Sequence, residues 1–132
     1  MKEKDLTTQF GHWVSANSKE LPPFVFEAKI VHLDREKSLG LGKFQPHQLP
    51  FLQQASDFGV YYKHPDLGNS TPGDGFFFRG EAWIVIFWYI PRRKKTCTII
   101  RIHDFLNKLR QTGKKSITEP EAKEIAIRIF EL

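Results

Sequence analysis

The chain has 132 residues and a pI near 9.4, with 20 Lys+Arg against 15 Asp+Glu, a size that suits one domain with a modest core. Its 40% hydrophobic and 27% charged residues exclude a wholly disordered or collagen-like chain. The single cysteine, Cys97, excludes an internal disulfide and a cysteine-built zinc cage; with no apolar stretch longer than Ala82 to Ile90 and a charged start, MKEKDLTTQF, a reducing cytoplasmic setting is expected.

Taken in chain order, residues 5–17 space Leu6, Phe10, Trp13 and Val14 at three and four, which predicts a helix packed on a sheet. Leu21-Pro22-Pro23 stops it. Phe24 to Val31 reads as the first strand, with Glu27 and Lys29 on one side, and residues 32–44 read as a loop. A short helix runs from Pro46 through Leu49, Phe51, Leu52 and Ala55. Residues 58–63 predict a strand, and His64 to Gly75 has the composition of a long turn. Phe76–Phe78 and Ala82–Tyr89 predict two strands, with Arg79-Gly80-Glu81 as a hairpin turn between them. The second is apolar on both faces, as a doubly covered central strand is. After the basic turn Arg92–Lys95, residues 96–102 predict another strand. Phe105, Leu106 and Leu109 predict a helix that Asp104 caps, and Thr118 with Glu121 has capping-box spacing ahead of Ile125, Ile129 and Leu132 at helical period. The expected fold is α/β, one domain over residues 1–132, with a mixed sheet of about five strands flanked by helices.

Charge is uneven along this chain. Residues 1–66 hold 8 basic and 8 acidic side chains and residues 67–132 hold 12 and 7, so the whole net +5 lies in the second part. Arg92, Arg93, Lys94 and Lys95, with Lys114 and Lys115 further on, suggest a polyanion partner, here the phosphates of DNA. By itself such a cluster reads equally well as a solvated loop and an exposed helix face. The sharper feature is Glu27-Ala28-Lys29, two opposite charges facing one way from an otherwise apolar strand. A carboxylate there can ligate Mg²⁺, while the lysine positions or activates water and stabilises charge developing on a phosphate. A strand side facing solvent explains the same pair.

The Glu27-Ala28-Lys29 strand is followed by a loop, then by Gln45-Pro46-His47-Gln48-Leu49 opening a helix, then by an apolar strand. Over about residues 24–90 this order resembles the PD-(D/E)XK nuclease superfamily, and within it RecU-type Holliday-junction resolvases and related phage-type nucleases. In that family a Glu-Ala-Lys strand precedes a helix carrying a His-Gln pair, here His47 and Gln48. The resemblance implies a restriction-endonuclease-like core, Mg²⁺ with Mn²⁺ as its substitute, branched DNA as substrate, and a homodimer. The family's usual metal-binding Asp on the preceding strand is missing, since residues 17–26 hold only Glu20 as an acid. Asp66 and Asp74 are the downstream replacements, and Asp74 is preferred because Gly73 and Gly75 flank it at the mouth of the strand Phe76–Phe78. Glu20, Glu81 and the first helix are the remaining places for a second carboxylate.

His12, His32, His64 and His103 have no paired metal-ligand spacing, Gly40-Leu41-Gly42-Lys43 is too short for a Walker loop, and Cys97 reads as core. Trp83, Trp88, Tyr89 and the phenylalanines are assigned to the core rather than to base stacking. The sequence therefore predicts a Mg²⁺-dependent endonuclease acting on DNA, with Glu27, Lys29, Asp74 and Gln48 as its catalytic set and Glu27 and Asp74 as metal ligands. A non-catalytic DNA-binding or assembly module that keeps the fold is the competing expectation.

Overall fold

The computed structural model describes residues 3–63 and 75–132. Its centre is a four-stranded mixed sheet. Strand β1 (Phe24–His32) runs parallel to β5 (Glu81–Tyr89), β6 (Thr96–Arg101) runs antiparallel to β5, and β8 (Arg128–Glu131) closes the order β1-β5-β6-β8. Every residue from Ala82 to Trp88 is buried, because β5 has a strand on each edge and a core on each face.

Alternation along β5 divides those side chains between two cores. Trp83, Val85 and Phe87 meet α1 (Glu3–Ala16) through Leu6 and Phe10. Ala82, Ile84, Ile86 and Trp88 meet Leu52 and Ala55 of α2 (Gln48–Asp57), Phe105 and Leu109 of α3 (Ile102–Thr112), and Ala122 of α4 (Glu119–Ile125). Each fully buried aliphatic or aromatic side chain contributes about 1.5–3 kcal/mol relative to an exposed one. The result is a helix, a sheet, and a second helical layer, an α/β fold as the element pattern predicts. Among the described residues no helix is long and apolar enough to cross a membrane.

Helix boundaries follow local chemistry. Gly113, at φ +68°, ends α3 and donates to the Leu109 carbonyl at 2.9 Å. Arg101, not Asp104, occupies the N-cap of α3, and no side chain caps it; Asp104 sits in the first turn. Thr118 and Glu121 form the reciprocal capping box of α4 that their spacing predicts.

Three expectations are corrected. Residues 76–78 do not form a hairpin with β5: both edges of β5 are occupied by β1 and β6, so β4 (Gly75–Phe78) pairs instead with β3 (Val60–Lys63) in a separate antiparallel ribbon. The main sheet keeps the mixed, helix-flanked architecture expected of it, with four strands. The predicted C-terminal helix stops at Ile125, and residues 128–131 become β8, because the free edge of β6 offers a ladder to Ile127 and the residues after it. Residues 32–44 are not all loop; they contain β2 (Ser38–Gly40), which pairs with β7 (Ser116–Thr118), and a 3-10 turn, Leu41–Lys43.

Candidate active site

Glu27 and Lys29 are two residues apart on β1 and so share a face. Their register partners Ile84 and Ile86 belong to the core beneath α2, which sets that face as the α2 side. The Glu27 carboxylate Oε1 lies 3.4 Å from Lys29 Nζ, with the two side chains 26% and 11% exposed. That exposure is intermediate, so neutralising Glu27 leaves a partly buried ammonium without its partner. Lys29 Nζ also lies 5.2 Å from the ring centre of Phe44, a cation–π contact that holds the amine at the edge of the sheet.

Gln48 completes the cluster from the first turn of α2. Its Nε2 donates to Glu27 Oε1 at 2.9 Å, and its Oε1 accepts from the Gln45 backbone N–H at 2.9 Å. Because a backbone N–H requires an acceptor, the second bond fixes which end of the amide faces Glu27. Gln48 thus orients the carboxylate with a donor, leaving Oε2 without a hydrogen bond or ion pair among the described residues. A cavity of about 250 Å³ opens beside it, lined by Phe26, Glu27, His47, Gln48, Phe51 and Leu52.

Glu27 and Lys29 therefore sit side by side as their spacing predicts, and Gln48, singled out as a partner for phosphate or a metal-bound water, bonds the Glu27 carboxylate. His47 lines the same cavity at the N-cap of α2 and makes no capping bond. Phe44 and the Gln45 backbone carry no local signal in the sequence; a phenylalanine before a helix reads simply as core. Asp66 and Asp74 lie outside the described residues. Glu81 follows the same alternation as Trp83, on the α1 side of the sheet, where it binds Arg101 and borders a cavity with Glu20. Neither Glu20 nor Glu81 shares the Glu27 cavity, and the described residues hold no group of three His, Cys, Asp or Glu side chains. Glu27 is the single carboxylate lining this cavity, and Mg²⁺ would need one or two carboxylates there together with several waters and substrate phosphate.

Arg92, Arg93 and Lys94 are exposed in the β5–β6 connection and Lys95 is half-buried. They lie off the end of the sheet where His32 pairs with Tyr89, three residues past Lys29 along β1, on the order of 10 Å. Lys94 pairs loosely with Glu131 at 3.5 Å, whereas among the described residues Arg92, Arg93 and Lys95 form no ion pair. Lys114 and Lys115 are exposed after α3, but Lys114 contacts Glu121 of the capping box at 3.1 Å and the Lys115 carbonyl accepts from the Leu41 N–H. Trp83, Trp88 and Cys97 are buried as predicted, and burial pushes the Cys97 thiol pKa up. The assignment of Tyr89 and of all the phenylalanines to the core is corrected: Tyr89 is half-buried, and Phe26, Phe51, Phe58, Phe76 and Phe77 are exposed because the described elements leave them uncovered.

No protein-family model matches this chain, and neither a curated protein nor a solved structure matches it.

Proposed function

We propose that this protein is a Mg²⁺-dependent endonuclease of the PD-(D/E)XK kind that hydrolyses phosphodiesters in DNA, with branched DNA as the substrate that the resemblance suggests. The carrying observation is the cluster of Glu27, Lys29 and Gln48, each with a defined partner, of which Glu27 and Gln48 line a cavity. Glu27 would hold the metal, with Asp74 or Asp66, both outside the described residues, as the second ligand that the sequence offers. When bound, Mg²⁺ supplies Lewis acidity to the phosphoryl group. Lys29 places a positive charge where negative charge develops on the phosphate, and Phe44 and Glu27 limit its motion. Gln48 positions Glu27 through its Nε2 donor. The basic turn, Arg92 to Lys95, with Lys114 and Lys115, holds the flanking backbone, and two copies acting as a homodimer would cut two strands symmetrically.

The test is cleavage of branched and linear DNA in Mg²⁺ or Mn²⁺ by the wild type and by Glu27→Gln and Lys29→Ala, each checked for folding by thermal melting. Loss of cleavage with DNA affinity retained is expected for both variants. Wild-type rates in either would remove the site assignment. The second reading, a non-catalytic DNA-binding or assembly module, draws on the single carboxylate that the described residues bring to the cavity. It prevails if the wild type binds DNA and cleaves no substrate with either metal. Within the nuclease reading, Asp74→Asn is expected to abolish cleavage and Asp66→Asn to reduce it much less.

A further inference from the structure

The main sheet has two outer edges of unequal length: β8 closes one with Arg128–Glu131, and β1 forms the other with Phe24–His32. Leu33 N–H donates to the Tyr89 carbonyl at 2.9 Å, which sets the odd-numbered residues of β1 toward β5 and turns the N–H and carbonyl groups of Phe26, Ala28 and Ile30 outward. His32, next in that row, is closed off. Its N–H donates to Glu36 Oε2 at 3.2 Å, and its carbonyl accepts from the Arg35 and Glu36 N–H groups. Phe26, Ala28 and Ile30 have no such backbone partner on their outward side among the described residues. The Glu27 cavity opens at this same edge, because it is lined by both Phe26 and Glu27, neighbours that point to opposite faces of β1. A long unpaired edge is a template for another strand.

The side chains of β1 select that strand, since the sequence Phe24–His32 complements itself about Ala28. Laid antiparallel against a second copy on a two-fold axis at Ala28, Glu27 faces the partner's Lys29 and Lys29 faces the partner's Glu27. On the same side of the sheet Val25 faces the partner's Val31, and on the other side Phe26, 37% exposed in the single chain, faces the partner's Ile30. The outward backbone groups match in this register, with Ala28 exchanging both hydrogen bonds with the partner's Ala28. Moving the axis to Glu27 or to Lys29 sets two carboxylates or two ammonium groups directly opposite, so charge selects Ala28. We infer that this chain associates with a second copy through β1, antiparallel and centred on Ala28. The inference stands without the nuclease reading. On that reading the partner strand covers the edge at which the Glu27 cavity opens, so the pair is a resting form, distinct from a dimer that cuts two strands.

The test is sedimentation of the full chain without DNA or metal, from about 1 to 100 μM. The wild type is expected to pass from monomer to dimer in that range. Glu27→Lys and Lys29→Glu each set like charges opposite and should weaken self-association about tenfold or more. Mixed in equal amounts, the two variants should dimerise again to within about threefold of the wild type, because every facing pair is then of opposite sign while the ion pair within each chain stays broken. Ala28→Pro removes the outward N–H at the axis, where an edge strand accepts proline, and should give a monomer that keeps its melting transition. A wild type that is monomeric throughout, or a mixture no more associated than its components, overturns the inference. A dimer that persists in Ala28→Pro assigns association to another surface and overturns it too. Cleavage by the wild type across the same range separates the two readings. A rate per chain that falls as dimer forms supports the covered site, and a constant rate overturns the covering. No cleavage at any concentration removes the nuclease reading, with the pairing still decided by sedimentation.

Discussion

Arg92 occupies a backbone conformation that favours glycine, with φ +65°, in a turn where Pro91 precedes it and Arg93 N–H donates to the Ile90 carbonyl at 3.2 Å. Arg92→Gly should therefore stabilise the fold by about 0.5–1 kcal/mol in denaturant melts while weakening DNA binding. A variant that neither stabilises nor weakens would remove Arg92 from the phosphate contacts. Deeper in, Trp88 Nε1 donates to the buried Thr98 Oγ1 at 2.9 Å, whereas the buried Trp83 Nε1 has no partner among the described residues. Thr98→Val leaves the Trp88 N–H unpaired and is expected to cost about 1–3 kcal/mol. Trp83→Phe removes an unpaired donor and should cost less than truncation of such a ring, about 3–5 kcal/mol, because Phe still stacks on Phe24. At the site, Gln48→Ala frees the Glu27 carboxylate to rotate, and cleavage is expected to fall about 10–100-fold with DNA affinity unchanged. Gln48→Glu should do no better, since it turns a donor facing Glu27 into an acceptor.

At the level of elements, the start of α4 joins stability to pH. The Thr118 backbone N–H donates to Glu121, with Lys114 and the Thr118 hydroxyl adding to it, and these contacts hold the Glu121 carboxyl below the ordinary glutamate range. Lys43 and the His32 N–H hold Glu36 low in the same way. A carboxyl lowered on folding contributes stability that is complete above its unfolded pKa and is lost as pH falls through the folded one. The melting temperature is thus expected to decline below about pH 4.5, with a shallower decline in Glu36→Gln/Glu121→Gln. Parallel curves would show that neither contact persists in solution. The capping box was legible in Thr118-x-x-Glu121 because its partners are three residues apart. Strand β8 was not legible: Ile125, Ile127, Ile129, Phe130 and Leu132 satisfy helical and alternating periods together, and the open edge of β6 decides between them. The ribbon escaped a sequence reading for the converse reason, since nothing within residues 76–89 records that β1 and β6 already occupy both edges of β5.

For the whole molecule, the basic turn lies beyond the site along the same sheet. On the nuclease reading, a duplex seated on Glu27 would extend toward the turn Arg92–Lys95, which follows β5 past the level of Lys29, and would bring it phosphates at one charge per about 1.7 Å of axis. Neutralising all four residues should weaken binding across sequences and shallow the salt slope by about 0.9 for each phosphate that no longer meets a cation. The same change at Lys114 and Lys115 should have a smaller effect, because Lys114 is engaged with Glu121. An unchanged slope in the first variant would move the DNA surface to another face.

Alternation and helical spacing in the sequence were enough to determine the α/β class, the buried central strand, the helix α1 and the shared face of Glu27 and Lys29, because each depends on side-chain periods within a single element. Gln48 was singled out by the resemblance alone, and its place beside Glu27, 21 residues away, comes from the packing of α2 against β1. Phe44 beneath Lys29, the exclusion of Glu81 from that face and the exposure of Phe51, Phe58, Phe76 and Phe77 were decided only by tertiary structure. Their common cause is physical: an aromatic residue enters the core or the solvent according to whether a neighbouring element covers it, and which strand holds the adjacent edge is a property of the assembled sheet.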